Sequence, residues 1–444
     1  MRETNHEGVN MNKKWMLVVA ALAGLWPAQA KDLQDLRVLY VGSERAAEYV
    51  CFLKQNVGYA VARDRDAFKP AEAAGFDVVL LDWRPNNDAN QLAKLKSPLG
   101  PRSSWSKPTV LLGSAGLHLA VCWELEGGIG CTCLSPLAYD LQDHEIFRQP
   151  FHIDLTKTTR IPTPPDFKDE IKAPEIDVIP LVKDFQRDWF PGWCSYSRTF
   201  EQDPEVEFFC GGVNHKTPTA AAIWRQGNLL HFGFEQSPAE MNETGQKLLL
   251  NAIAYISRFG GDRPIAVKRS GFLGQVSRTR KAMQKDLESP NHLPERLAKD
   301  LAGELWATVA AMTPEARIAW AKANARFLHP NTSRKMEVDS DLAALGLPFD
   351  APEFFDQAIA GLREGGAKAD CANKLLNRYV QTGPAEQSAD GWTAWLRENK
   401  AYLFGSDEGE YLWYIDGWAK RRGVPTKEFR GPSRADPTPI AAAR

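Results

Sequence analysis

The sequence predicts an α/β fold, a doubly wound and mostly parallel sheet with crossover helices, followed by a smaller all-α domain. Two observations carry the first part. Four short apolar runs, RVLYVGS (37–43), VGYAVARD (57–64), FDVVLLDW (76–83) and PTVLLG (108–113), are separated by helical or turn-rich stretches. The runs are continuous rather than alternating, as expected of strands covered on both faces. A third observation carries the second part: beyond residue 290, apolar residues recur mainly at helical spacing. At 444 residues the chain exceeds one ordinary domain, so two are expected.

Each segment has its own signal. Asn12-Lys13-Lys14 precedes the apolar MLVVAALAGLW (16–26), and Ala28-Gln29-Ala30 supplies small residues for cleavage. That is the pattern of an export signal over 1–30, too short to span a bilayer. The mature chain is expected to start at Lys31, to be periplasmic or secreted, and to have no membrane span. The intact mass of exported protein checks this, and retention of residues 16–26 would contradict it. The α/β domain is assigned to 31–262. After the first strand, ERAAEYVCFLKQ reads as an amphipathic helix. AAIWRQ and NLLHFGFE flank Gly227-Asn228 as a hairpin, and Leu248, Ala252, Ile256 and Phe259 mark a helix with Ser237 and Glu240 as its capping box. The proline-rich 162–180 reads as a surface excursion.

A basic linker is assigned to 263–290, the all-α domain to 291–430 and a disordered tail to 431–444. Leu297, Leu301, Leu305 and Val309 keep i+4 spacing, Thr313-Pro314 opens a helix, Asp350 and Glu353 resemble a capping box, and Gly365-Gly366 closes the helix after it. GEYLWYIDGWAKRRG is expected to place Tyr411, Ile415 and Trp418 on one helix face. The aromatic residues around Trp392, Trp395 and Trp413 read as core rather than a sugar platform. Asp407 and Asp416 lack the ligand order of a calcium loop.

Charge is nearly balanced, with 54 basic and 56 acidic residues, which argues against nucleic acid as a partner. Seven cysteines follow the leader, an odd number, and Cys194 with Cys210 would close a modest disulfide loop. Cys131-Thr132-Cys133 lacks a second pair at zinc spacing, so neither a metal nor a cofactor is expected.

The order of FDVVLLDW, PTVLLGSAG and QGNLLHFGFEQSP, followed by a terminal helix, resembles the class I glutamine amidotransferase-like superfamily, specifically its ThuA-like, non-amidotransferase branch, over residues 35–260. The resemblance implies a flavodoxin-like sheet with ligands beyond the carboxyl ends of the strands. It also implies a nucleophile elbow at the PTVLLGSAG turn. An amidotransferase needs a cysteine there and a His-x-Glu after the late strand. Here the turn is Gly113-Ser114-Ala115-Gly116, and Phe234-Glu235-Gln236-Ser237 follows the late strand. HPIF-like segments of the family correspond to His144-Glu145-Ile146-Phe147. The C-terminal domain is similar to the helical tails of exported bacterial proteins without assigned chemistry.

The candidate ligand-binding residues at strand ends are Ser43, Glu44, Asp82, Trp83, Gly113, Ser114, His118 and Glu235, with Ser114, His118 and Glu235 as catalytic candidates. Glu124 and Glu126 read as one face of a strand. The expected function is a catalytically unarmed domain that binds a small polar ligand, a glycan included, or a protein partner. The alternative is a hydrolase or isomerase acting on carbohydrate-like substrates through strand-end carboxylates and His118 or His231.

Overall fold

The computed structural model describes residues 32–84, 94–125, 130–185, 190–196, 205–264, 280–291, 293, 295–333, 335–406, 411–423 and 425–426. The leader, the tail, residues 265–279 of the linker, Glu126 and Asp407 lie outside them. Among the described residues no helix is long and apolar enough to cross a membrane.

The four apolar runs become β1 (Arg37–Val41), β2 (Tyr59–Arg63), β3 (Val78–Asp82) and β4 (Thr109–Leu112). They continue into β5 (Gly130–Leu141), β6 (Thr159–Pro162), β7 (Glu175–Pro180), β8 (Gly192–Tyr196), β9 (Val206–Asn214), β10 (Ala220–Gln226) and β11 (Leu229–Phe232). All eleven form one sheet, whose order begins β2-β1-β3-β4-β11. Every pair within that half is parallel. This is the flavodoxin-like order.

Successive residues of a strand point to opposite faces, and both faces are covered. Val38, Tyr40, Val78 and Leu80 pack with Tyr49 and Leu53 of α1 (Ala46–Asn56) and with Leu249 and Ile253 of α3 (Glu243–Ile256). Leu39, Val41, Val79 and Leu81 pack with Ala115, Leu119 and Trp123 of α2 (Ala115–Trp123). The cap of α3 differs from the expectation: Asn242 accepts from the Gly245 amide, while Ser237 and Glu240 close a turn upstream.

The other half of the sheet is an antiparallel extension, β10-β8-β5-β7-β6, with β9 paired to β10 and β5. The hairpin from β10 to β11 turns at Gly227, where φ is +56° and a Cβ would lie 2.5 Å from the Arg263 carbonyl carbon. The proline-rich segment is a surface excursion only in part: residues 164–175 are mostly exposed, but β7 falls within it and pairs with β6, which ends at Pro162. Ile176 and Val178 alternate inward onto Leu137, Tyr139 and Phe167, and that burial outweighs the turn-forming prolines. Glu124 is not on a strand: it ends α2 in the left-handed region at φ 56°.

The C-terminal region has its own core, including Leu297, Val309, Phe354, Leu375, Trp392 and Tyr411. Helices dominate it. The linker ends earlier than expected, because Arg280–Leu287 is helical and buries Met283 and Leu287 in this core. Thr313 caps its helix as expected, accepting from the Ala316 amide. Glu353 precedes Phe354–Glu364, and Gly365 follows it at φ 77°. Asp350 pairs instead with Arg280. The region is not purely α. Leu412–Ile415 pairs antiparallel with Leu403–Ser406, and among the described residues of GEYLWYIDGWAKRRG only Gly417–Arg422 is helical. Four bulky residues in a row favour the strand, and Asp416 then caps the helix through the Ala419 amide. An Arg421–Asp262 ion pair links this region to the end of the α/β domain.

Candidate functional site

In this strand order, β1 and β3 are neighbours whose connections leave in opposite directions, so their carboxyl ends open a crevice. The loop after β1 carries Arg45, β3 ends at Asp82, β4 at Gly113-Ser114, and Glu235 follows β11. The crevice is filled by these residues. Arg45 donates from Nε to Asp82 Oδ2 at 2.8 Å, and from Nη2 to Asp82 Oδ1 and, at 3.2 Å, to Glu235 Oε1. Its Nη1 donates to the Glu235 carbonyl. Tyr40 donates its hydroxyl to Asp82 Oδ2. Gly42 is needed beside it, because a Cβ would lie 2.7 Å from that hydroxyl and 2.8 Å from Asp82 Cβ.

Glu235 closes the elbow. Gly113 has φ +50°, the left-handed backbone of a strand-to-helix elbow, which glycine adopts without strain. A Cβ there would lie 2.0 Å from Glu235 Oε2 and 2.7 Å from Cδ. The carboxylate therefore occupies the space into which an elbow nucleophile would project. Its Oε2 accepts the Ser114 amide at 2.9 Å and the Ser114 hydroxyl at 3.2 Å. A negative oxygen at the start of α2 is also favoured by the helix dipole.

The charges are closed off from water. Asp82 and Ser114 are 0% exposed, Glu235 5% and Arg45 6%. Burial raises the pKa of Glu235, reinforced by Asp82 and opposed by Arg45 and the Ser114 amide. Burial works against the charge on Arg45, but its bonds to Asp82 and the field of Glu235 outweigh it and raise its pKa. Two buried carboxylates thus share one buried cation, with the half-exposed Arg84 at 4.0 Å from Glu235 as a rim contact.

The candidate residues divide accordingly. Asp82, Gly113, Ser114 and Glu235 meet. His118 does not join them: it lies edge-on to Trp83, with ring centroids 5.0 Å apart. Burial and the field of Arg65 bring its pKa down to about 4, so it is neutral at physiological pH. Ser43 turns outward to Asp64, donating at 2.9 Å, and Glu44 is exposed. His231 is buried against Trp224, with centroids 3.7 Å apart, and burial holds its pKa well below the usual range. His144 caps a short helical turn through the Ile146 amide. Tyr40 and Arg45 were not among the sequence candidates. Their signal is faint, a tyrosine inside an apolar strand and an arginine next to an exposed glutamate.

A serine hydroxyl beside a carboxylate could suggest a nucleophile and its base. Here a single carboxylate oxygen, Glu235 Oε2, accepts from both the amide and the hydroxyl of Ser114. Beyond the ends of β2 and β3 lies an open cavity of about 400 Å³, lined by Arg65, Asp66, Trp83, Lys96 and Ser97 among others.

No family model matches the chain, and no curated protein matches it. Among solved structures it is similar to a GMP synthase-like protein of Thermoplasma acidophilum, at 10% identity and TM-score 0.29, over 50% of this chain and 94% of that one. It is also similar to a ThuA-like protein of Bacteroides uniformis, at 12% identity and TM-score 0.30, over 52% of this chain and 95% of that one. The fold itself, read from strand order and register, is a flavodoxin-like α/β sheet with an antiparallel extension, followed by a helical region.

Proposed function

We propose that this is an amidotransferase-like protein without catalysis at its elbow, acting outside the cytoplasm after loss of residues 1–30 and binding a small polar ligand. The observation that carries the reading is the Glu235 carboxylate in the space before Gly113. An elbow that holds its own carboxylate has no room for a substrate carbonyl.

The ligand is then expected in the cavity beside the closed crevice, beyond β2 and β3. Its volume of about 400 Å³ suits a monosaccharide. Arg65 and Lys96 supply two cations and Asp66 one carboxylate, and Trp83 also lines the cavity. Arg65 is held over the Trp83 ring at 5.8 Å and bonds Asp66 at 3.0 Å, which leaves Lys96 as the exposed cation. That chemistry suits a sugar bearing a carboxylate better than a neutral one.

Calorimetric titration with galacturonate and with galactose tests it. The expected result is binding of galacturonate, weakened at least tenfold by Lys96→Ala, and weaker or undetectable binding of galactose. Equal binding of both sugars, or galacturonate affinity unchanged in Lys96→Ala, would overturn this ligand assignment.

A further inference from the structure

Away from the crevice, the antiparallel extension brings a distant cysteine against a pair close in sequence. Cys131 and Cys133 are two residues apart on β5, so both face the same side of the sheet. Cys194, on β8, is the register partner of Cys131. The Sγ atoms of Cys131 and Cys194 are 4.0 Å apart, and all three sulfurs lie within 4.8 Å of one another. Gly130 permits this approach: a Cβ there would lie 2.0 Å from the Cys194 carbonyl oxygen. In the structure Cys131 and Cys133 are joined as a disulfide, and Cys194 is a free thiol rather than the disulfide partner of Cys210 expected from sequence. The strand register explains the difference, since Cys194 faces Cys131 while Cys210 pairs with Leu141 and Ile223.

We infer that Cys131, Cys133 and Cys194, once the Cys131–Cys133 bond is reduced, form a three-thiolate site for one soft monovalent cation of the copper(I) class. Three sulfurs in a plane around an ion at about 2.3 Å are separated by about 4.0 Å, which is the spacing found between Cys131 and Cys194. Soft thiolates select such an ion over hard cations. The C-x-C spacing alone lacked a third ligand, and strand pairing supplies it. Cys131 and Cys133 are half-buried and give access, while Cys194 is buried. Thiols ligate as thiolates, so binding displaces protons and affinity rises with pH.

The redox balance is complete. Two small-molecule thiols are oxidised to their disulfide as the Cys131–Cys133 bond takes up two electrons and two protons. Copper(I) then replaces the three thiol protons, which leave to solvent. The disulfide and the bound ion are mutually exclusive, so the site is open only to reduced protein.

The test is an anaerobic competition between the full chain and bicinchoninate for copper(I), followed by the colour of the bicinchoninate complex. Phosphine-reduced protein is expected to withhold one equivalent, and oxidised protein none from this site. Cys133→Ser and Cys194→Ser should each weaken retention at least a hundredfold, while Cys51→Ser and Cys371→Ser should leave it unchanged. Circular dichroism checks folding, and Cys133→Ser, at a half-buried position, covers the case in which Cys194→Ser does not fold. Copper retained at wild-type affinity in Cys133→Ser, or left entirely to bicinchoninate by reduced wild type, would overturn the assignment.

Discussion

Arg45→Met is expected to lower the free energy of unfolding by about 3–5 kcal/mol, the usual cost of leaving a buried ion-pair network without its cation. The methionine fills much of the same volume, so the loss is electrostatic. Asp82 and Glu235 would remain buried, without their fork of donors. The pH dependence separates this from a packing defect. Burial already raises the folded-state pKa of Glu235, and removing Arg45 raises it further. A carboxyl whose folded pKa lies above its unfolded value supports the fold fully below the unfolded value, and that support is lost as pH rises through the folded one. The deficit of Arg45→Met should therefore be largest near neutral pH, shrink as pH falls through the raised folded pKa, and be smallest below about pH 4, the ordinary unfolded value. Urea unfolding at several pH values measures it. A deficit independent of pH would mean that the crevice is not held by charge.

Gly113→Ala should cost about 2–5 kcal/mol, for two separable reasons. A left-handed φ of +50° costs a residue with a Cβ about 1–2 kcal/mol. The new Cβ also displaces the Glu235 carboxylate, since Oε2 lies 2.0 Å from where it would stand. Moving the carboxylate leaves the buried Ser114 amide without its acceptor, about 1–3 kcal/mol more. In a Glu235→Ala background only the backbone part remains. The double-mutant cycle should thus show a coupling of about 1–3 kcal/mol, and additive effects would show that Glu235 does not fill the elbow.

How much of this was legible in the sequence depends on which forces set each element. The parallel strands were readable because burial on both faces makes them continuous apolar runs, and Asp82, Gly113, Ser114 and Glu235 because polar residues at such strand ends converge. Arg45 was not, because nothing local distinguishes it from Glu44: the first folds inward onto Asp82 and the second stays in water. Trp83 and His118 were expected within the site, but they pack together on the opposite face of the sheet. In β7 the alternation of Ile176 and Val178 was present, but the surrounding prolines masked it. In the C-terminal region, LWYI satisfies helical and extended patterns alike, and pairing with Leu403–Ser406 decides it. The third thiol at Cys131 and Cys133 depends on strand register, which no local spacing encodes.

The most direct test of the closed elbow is exposure of the native protein to a serine-directed fluorophosphonate, followed by intact mass. A hydroxyl that is buried and hydrogen-bonded to the carboxylate occupying its own amide should not be phosphonylated, so the account predicts no mass shift. One stoichiometric adduct, absent from Ser114→Ala, would contradict it and make Ser114 a working nucleophile.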